Sequence, residues 1–131
     1  MPGENQMKDA ERREEERFRP KKRTFVVFKP QFLKLGKVLD ISVGGLCFQY
    51  LAKEDQIGDA PAIEADIFMS DNGYYLPDVS CKLVWDTEAK EKVTFPIGFQ
   101  NRRCGLRFGT LTREQQDKLD HFLQVHTAER V

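Results

Sequence analysis

Apolar and polar residues alternate with a period of two through much of this chain, a pattern typical of β-strands that bury one face. The clearest case is residues 37–50, which predict a strand, a tight turn and a second strand. The turn falls at a polar corner, residues 40–45, between two runs of β-forming residues. The apolar residues of these runs are Val38, Leu39, Ile41, Leu46, Phe48 and Tyr50. We expect a β-hairpin here, around which the rest of the chain is arranged.

Further short strands are predicted on both sides of this hairpin. They cover residues 24–28, 62–69, 79–85, 93–99 and 103–108. In the third of these, Val79, Cys81, Leu83 and Trp85 are expected to share one face. Pro96 interrupts the fourth and predicts an edge strand or a bulge there. Six or seven short strands followed by one helix predict an all-β fold, either a small antiparallel barrel or a sandwich.

The C-terminal part of the chain, at about 112–127, has helical periodicity. Thr112 is a suitable N-cap, and Gln115 three residues later can complete a capping box. Residues at helical spacing then make one apolar stripe, which consists of Leu119, Phe122, Leu123 and His126. This helix is expected to pack on the sheet or to close one end of it.

Composition limits the class of protein. The chain has 131 residues, which predicts one domain, and its 21 basic and 21 acidic residues give no net charge. Cys47, Cys81 and Cys104 are an odd number without metal-ligand spacing, so they favour a reducing compartment over disulfides or zinc. His121 and His126 lie on different helix faces, and we expect no metal there. No apolar run reaches the roughly 20 residues of a membrane span, and no signal peptide is apparent. The prediction is a cytoplasmic protein without membrane insertion.

The charges are unevenly distributed along the chain. Residues 17–37 contain eight basic residues and no acidic one: Arg17, Arg19, Lys21, Lys22, Arg23, Lys29, Lys34 and Lys37. Residues 38–101 contain eleven acidic residues against four basic ones. A basic front end on a neutral protein suggests a local anion site more than a surface that coats nucleic acid.

The N-terminal segment is expected to be a flexible arm. Residues 1–16 are almost without apolar side chains, so they cannot bury enough surface to order themselves, and residues 17–131 are expected to form the folded body. Arg13 and Arg17 have a spacing of four, and the same spacing recurs at Arg19 and Arg23. Such a run is commonly a solvated tail. Its alternative role is an anion clamp, because the planar guanidinium fork binds phosphate through two hydrogen bonds and stacks on flat rings.

The polar corner of the hairpin combines a carboxylate, Asp40, a hydroxyl, Ser42, and two glycines, Gly44 and Gly45. Asp and Ser can hydrogen-bond nearby backbone and support a turn. Paired glycines permit positive φ and let another molecule approach the backbone closely. The corner can therefore be an ordinary glycine turn or a binding notch.

Together, these motifs give the chain a family resemblance. Arg13-Glu-Glu-Glu-Arg17 and Asp40-Ile-Ser42-Val-Gly44-Gly45 resemble the Arg-xxx-Arg and Asp-x-Ser-x-x-Gly motifs of the PilZ domain family, bacterial receptors for cyclic dimeric GMP. Phe18 after the second arginine, and residues 104–108 leading into a helix, are also similar to that family. The resemblance implies a six-stranded β-barrel with a C-terminal α-helix and a nucleotide held against its outer surface by the arm. The implied ligand residues are Arg12, Arg13, Arg17, Asp40, Ser42, Gly44 and Gly45.

The chemistry of these residues suits such a ligand. Guanine presents O6 and N7 as paired acceptors for an arginine fork, and its N–H edge can donate to a carboxylate such as Asp40. We expect ligand to bring Arg13 and Arg17 onto the corner and to change affinity for a protein partner that the sequence does not identify. The segment Glu14-Glu15-Glu16 departs from a purely cationic clamp and can weaken it by self-pairing.

Two alternatives remain at this point. One is a protein-interaction module with the same barrel that binds no nucleotide. The other is a single-strand nucleic-acid binder that uses the basic segment and the many Phe residues, although the acidic body opposes nucleic-acid binding. No catalytic motif is recognisable, so we expect neither an enzyme nor a cofactor.

Overall fold

We describe the protein from a computed structural model, which covers residues 16–29, 34–53, 64–71, 73–92 and 97–131. Most of the predicted arm, including Arg12 and Arg13, lies outside these residues, and so does the main part of the predicted strand 93–99. The strands are β1 Phe18–Pro20, β2 Thr24–Lys29, β3 Lys34–Ile41, β4 Gly45–Lys53, β5 Glu64–Met69, β6 Tyr75–Glu88, β7 Phe99–Phe108 and β8 Thr127–Arg130. The helix described, α1, spans Arg113–Val125.

Six of these strands close into an antiparallel barrel. They pair in the order β2-β5-β6-β7-β4-β3, and β3 returns to pair with β2, so the barrel has no free edge along this circuit. The all-β class and the six-stranded barrel with a C-terminal helix are thereby confirmed. The predicted hairpin of residues 37–50 is the β3–β4 pair, with Val38 opposite Phe48 and Ile41 opposite Leu46.

The inward-facing residues of the barrel form the core. Phe48 is fully buried and meets Phe28 edge to face, with ring centroids 4.6 Å apart. The other large side chains with almost no exposure include Val26, Ile41, Leu46, Ile67, Leu76, Val79, Leu119 and Phe122. Burying each such side chain stabilises the fold by roughly 1.5–3 kcal/mol relative to leaving it exposed.

The helix begins as predicted. Gln115 N donates to Thr112 Oγ1 at 3.1 Å and Thr112 N donates to Gln115 Oε1 at 2.9 Å, which confirms the capping box. Leu119 and Phe122 are buried against the barrel. Tyr74 OH donates to the Lys118 carbonyl at 2.7 Å and fixes the helix at one end of the barrel.

Two strands outside the barrel had no counterpart in the sequence analysis. β1 pairs with β3 at Phe18 and Ile41, and β8 pairs with β1 at Phe18 opposite Arg130 and Pro20 opposite Thr127. β8 carries mostly exposed polar residues and therefore lacks the apolar alternation of a buried strand. This small extension joins the start of the folded body to its C-terminal segment.

Two expectations for the strands were wrong in part. Val79 and Cys81 are buried, but Trp85 is 41% exposed, because the β6–β7 register shifts at a bulge between Leu83 and Trp85. Ile97 lies in a turn with Gly98, so the predicted strand 93–99 does not extend through these residues.

Candidate ligand-binding site

The second arginine of the first motif and the carboxylate of the second are in direct contact. Arg17 Nε donates to Asp40 Oδ1 at 2.7 Å. Arg17 directly precedes β1, and Asp40 directly precedes Ile41 of β3. Because Phe18 and Ile41 pair across antiparallel strands, Arg17 lies at the register position opposite Ser42, and Asp40 is its diagonal neighbour, which a long side chain can reach. The protein's own backbone pairing therefore joins the two motifs.

Arg17 is also held through its main chain. Val131 N donates to the Arg17 carbonyl at 2.8 Å, immediately beyond β8. Glu16 and Arg130 form an ion pair at 3.3 Å on the same side. The side chain of Arg17 remains 45% exposed and that of Asp40 18% exposed, so both can reach a ligand.

The polar corner is a tight turn closed by its own hydroxyl. Ser42 is fully buried, and Gly44 N donates to Ser42 Oγ at 3.3 Å. Ser42 Oγ and Ser42 N both donate to the Gly45 carbonyl, at 3.3 and 2.8 Å. The structure thus places the Ser42 side chain inside the turn, where it sets the shape of the backbone.

Close packing of the backbone requires a glycine at position 45. Gly45 has no positive φ, but a Cβ there would lie 2.0 Å from the Leu106 carbonyl oxygen. Gly44 likewise has no positive φ, and its carbonyl accepts from Phe108 N at 2.8 Å. The expected use of positive φ at this corner is therefore wrong. Gly45 instead lets the turn pack closely against β7, and the Gly44 carbonyl fixes the turn to the same strand by its hydrogen bond.

A cleft of about 580 Å³ opens beside this corner and is called here the glycine cleft. Among its lining residues are Arg17, Gly44, Gly45, Lys82, Trp85 and Arg107. It combines three cations with an indole and open backbone. Lys82 and Arg107 are exposed, and they face each other across β6 and β7.

Trp85 is the residue of this cleft that the sequence analysis placed wrongly. Its ring lies over Gly105, where a Cβ would be 2.2 Å from Trp85 Nε1. The signal in the sequence was the glycine between Arg103 and Arg107, on the otherwise long-chained outward side of β7. A missing side chain on one strand can make room for a large ring from its neighbour.

A second cleft, about 900 Å³, opens on the other side of Asp40 and is called here the basic cleft. Its basic lining residues are Arg19, Lys21, Lys22, Arg23, Lys37 and Arg103. The alternative arginine pair, Arg19 and Arg23, thus lies here rather than at the glycine corner. Arg19 Nη1 also donates to Glu129 Oε1 at 3.0 Å.

Cys47 lies opposite Asp40 in the β3–β4 pair and is buried. Burial raises the pKa of its thiol, and the nearby charge of Asp40 raises it further. The group therefore stays protonated near neutral pH and packs as a small apolar side chain.

The part of the chain that the structure describes contains neither a metal site nor a membrane-spanning helix. No group of three or more His, Cys, Asp or Glu residues there could hold a metal ion. The helix among these residues, α1, is too short and too polar to cross a membrane.

Comparison with known families decides the relationship. The sequence profile of the PilZ domain matches residues 11–124 of this chain. The chain belongs to the PilZ domain family. The match runs from the arm motif into α1 and so includes both arginine pairs, the polar corner and the glycine cleft. A search of curated protein sequences finds no match.

Solved structures of PilZ proteins have the same fold as this chain. The PilZ domain of YcgR from Escherichia coli with c-di-GMP superposes with a TM-score of 0.65 at 16% identity, covering 86% of this chain and 89% of that one. Full YcgR from E. coli in complex with c-di-GMP gives 0.60 at 18%, covering 86% and 45%. MrkH, a c-di-GMP-dependent transcription regulatory factor, gives 0.62 at 13%, covering 82% and 48%. This PilZ chain spans about half the length of MrkH and of full YcgR.

Proposed function

We propose that this PilZ protein is a receptor for cyclic di-GMP that reports ligand binding to a protein partner. The observation that carries the proposal is the 2.7 Å ion pair between Arg17 and Asp40, because it joins the two motifs at the glycine cleft. Membership of the family and the likeness to two c-di-GMP complexes of YcgR support the same ligand.

The charges around the glycine cleft suit a cyclic dinucleotide with two phosphates. Arg17, Lys82 and Arg107 contribute three cations near one another. Arg17 Nε donates to Asp40. The two Nη groups of Arg17 can donate to a phosphate or to the O6 and N7 acceptors of guanine. Asp40 can in turn accept from the N–H edge of guanine.

Trp85 supplies the flat surface that a guanine base needs. Its indole is partly exposed and lines the same cleft as Arg17. Stacking of a base on an aromatic side chain is worth about 1–3 kcal/mol. We therefore add Trp85 to the ligand residues that the sequence suggested.

The remaining predicted residues have complementary roles in this proposal. Gly44 and Gly45 offer backbone that a ligand can approach along the cleft. Ser42 acts by holding their turn in shape, since its hydroxyl is engaged inside the turn. Arg12 and Arg13, which precede Arg17 closely in the sequence, would add cations to the clamp.

We propose a binding role without catalysis, in the cytoplasm. The site gathers cations, a paired carboxylate and an indole, a set that holds and orients an anionic nucleotide. Cys47 beside it is kept as a thiol by burial. The cysteines Cys47, Cys81 and Cys104 are all free, as is usual in a reducing compartment.

Isothermal titration with cyclic di-GMP tests the proposal. Wild-type protein should bind at micromolar Kd or tighter, and Arg17→Ala and Asp40→Ala should each lose at least about tenfold in affinity. Arg19→Ala is the matched control, because Arg19 is an exposed arginine that lines the other cleft. Equal affinity in wild type, Arg17→Ala and Asp40→Ala would overturn the proposal. A loss confined to Arg19→Ala would assign the clamp to the alternative arginine pair.

A further inference from the structure

The basic cleft arises from the way β1 and β2 share one edge of β3. β2 pairs with β3 as far as Lys37, and β1 pairs with it only at Ile41. Residues 38–40 therefore pair with neither strand. The connection 21–23 between β1 and β2 lies at this gap and brings three consecutive cations to it.

This connection is held in place by hydrogen bonds of its main chain. Lys21 N donates to the His126 carbonyl at 2.8 Å, and Thr24 Oγ1 donates to the Lys22 carbonyl at 3.0 Å. The backbone is thus fixed where these three cationic residues line the cleft. Such a preorganised set of cations lowers the ordering cost of binding an anion.

The cations of the basic cleft are poorly neutralised by the protein itself. Within the described residues, Lys21, Lys22, Arg23 and Lys37 form no ion pair. Arg103 Nε is buried and has no hydrogen-bond partner in that part of the chain, although its Nη2 lies 3.6 Å from Glu91 Oε1. The Arg103 side chain as a whole is 43% exposed, so an acceptor brought by a partner can reach the exposed part of its guanidinium.

We propose that the basic cleft is a docking surface for a carboxylate-rich segment of a partner protein. Apolar side chains adjoin the cations: Leu39 and Lys37 line both the basic cleft and a neighbouring groove that also contains Leu35 and Leu51. Leu35 and Leu51 are about half exposed. The surface therefore matches a segment in which acidic residues alternate with apolar ones, because carboxylates can meet the cations while apolar side chains enter the groove.

The surrounding charge favours a protein partner over nucleic acid. Asp40 and Asp71 also line the cleft, and residues 38–101 carry eleven acidic residues against four basic ones. A nucleic-acid backbone would extend beyond the short row of cations onto this acidic body. A short peptide segment can place its carboxylates within the row alone.

This inference deepens the proposed function by giving the chemical class of the partner. Asp40 is the physical link, since it holds Arg17 at the glycine cleft and lines the basic cleft as well. Only this link rests on the proposed ligand; the docking surface can be tested independently of cyclic di-GMP.

The test uses a fluorescein-labelled 12-residue peptide of alternating Glu and Leu, and a second peptide with Gln in place of Glu. Anisotropy is measured with the full chain at about 0.1 M salt, where the Debye length is about 10 Å. Lys22→Glu/Lys37→Glu reverses two charges of the cleft. Lys53→Glu/Lys90→Glu is the matched control, because both lysines are exposed, lie outside the cleft lining and produce the same net charge.

We expect saturable binding of the Glu peptide, a loss of about tenfold or more in the cleft variant and a change below about twofold in the control. The Gln peptide should bind wild type at least about tenfold more weakly than the Glu peptide. Equal weakening in both double variants would overturn the docking surface, as would an absence of peptide binding to wild type. Tighter binding of single-stranded oligonucleotide than of peptide, lost in the cleft variant, would assign the cleft to nucleic acid instead.

Titration of cyclic di-GMP into the same variants separates the two proposals. If Lys22→Glu/Lys37→Glu loses peptide binding but keeps the affinity and stoichiometry of the nucleotide, the docking surface is separate from the nucleotide site. A fall in nucleotide stoichiometry in that variant would make the basic cleft a nucleotide site and overturn the inference. Loss of nucleotide binding in Arg17→Ala tests the receptor role alone.

Discussion

The indole of Trp85 lies over the backbone of Gly105, so close that a Cβ on this glycine would be 2.2 Å from Trp85 Nε1. The two residues are directly paired across β6 and β7. The missing side chain at Gly105 makes room for a large, partly exposed ring that lines the glycine cleft. This arrangement gives the proposed nucleotide site an aromatic surface on a rigid part of the barrel.

The first prediction concerns this ring. Trp85→Ala should weaken cyclic di-GMP binding by about 1–3 kcal/mol, because it removes the stacking surface. Trp85→Phe keeps an aromatic ring at the same position and should lose less affinity. Titration calorimetry on both variants measures the effect, and thermal unfolding checks that each is folded. Unchanged affinity in Trp85→Ala would exclude stacking on this residue.

The second prediction concerns the packing of the polar corner. Gly45→Ala should destabilise the fold by at least about 2 kcal/mol, because the new Cβ would meet the rigid carbonyl of Leu106 at 2.0 Å. Gly109→Ala is a milder comparison, since the nearest atom to its Cβ is the Ser80 hydroxyl at 2.8 Å, which can rotate away. Urea unfolding of both variants compares the free energies. Equal stabilities would show that the turn can move away from β7.

The third prediction concerns a polar cluster at the outer end of β6. Arg102 Nε donates to Asp86 Oδ1 at 2.6 Å, and Tyr50 OH donates to Asp86 Oδ2 at 2.7 Å. Asp86→Ala should cost about 3–5 kcal/mol, because it leaves the largely buried Arg102 guanidinium without its counter-charge.

Replacing both charges tests whether the cost comes from the unpaired cation. The double variant Asp86→Ala/Arg102→Met should recover part of the stability lost in Asp86→Ala. Chemical denaturation of the single and double variants gives the coupling free energy. Additive losses would mean that the ion pair is not the source of the effect.

The fourth prediction concerns alkaline pH. Burial, and then the charge of Glu64, raise the pKa of the Cys81 thiol to about 11 from 9.0. The folded state thus favours the neutral thiol, so this stabilisation is fully present below pH 9 and is lost as pH rises through about 11. The two-unit shift corresponds to about 2.7 kcal/mol at most.

Stability curves from pH 8 to pH 11 measure this effect. Cys81→Ala should lose stability at neutral pH through the smaller side chain but should show a flatter decline above pH 9. Thiol labelling of wild type at pH 8 should be slow at Cys81, because the thiol is buried and protonated. An identical alkaline decline in wild type and Cys81→Ala would contradict the assignment.

Local sequence patterns were sufficient for much of the barrel and for the helix. Alternation at Leu46, Phe48 and Tyr50 predicted the buried face of β4, because successive side chains of a strand point to opposite sides. Thr112 and Gln115 predicted the start of α1, because a capping box involves only residues three apart. The arginine and Asp-x-Ser motifs suggested the candidate site and the family, because each motif lies within a short segment.

Contacts between distant segments were not visible in such patterns. The strand β8 forms by hydrogen-bonding to the backbone of β1. The polar sequence of β8 carries no signal of that pairing. Trp85 was expected on the same face as Val79 because a bulge, which shifts the phase of the alternation, depends on how β6 fits β7. Gly45 was expected to permit positive φ or the close approach of another molecule, whereas the structure requires glycine there because a Cβ would meet the Leu106 carbonyl on another strand.

From its residues alone, then, this chain could be read as a small antiparallel barrel or sandwich with a capped helix, an arginine-rich arm and a polar glycine corner, since these features depend on spacing within short segments. The choice of a six-stranded barrel came from the resemblance to the PilZ family. Strand register decides three other features: the contact of Arg17 with Asp40, the position of Trp85 at the glycine cleft, and the six cations that line the basic cleft. Register is set by how the whole barrel closes and packs, and no short segment carries that information.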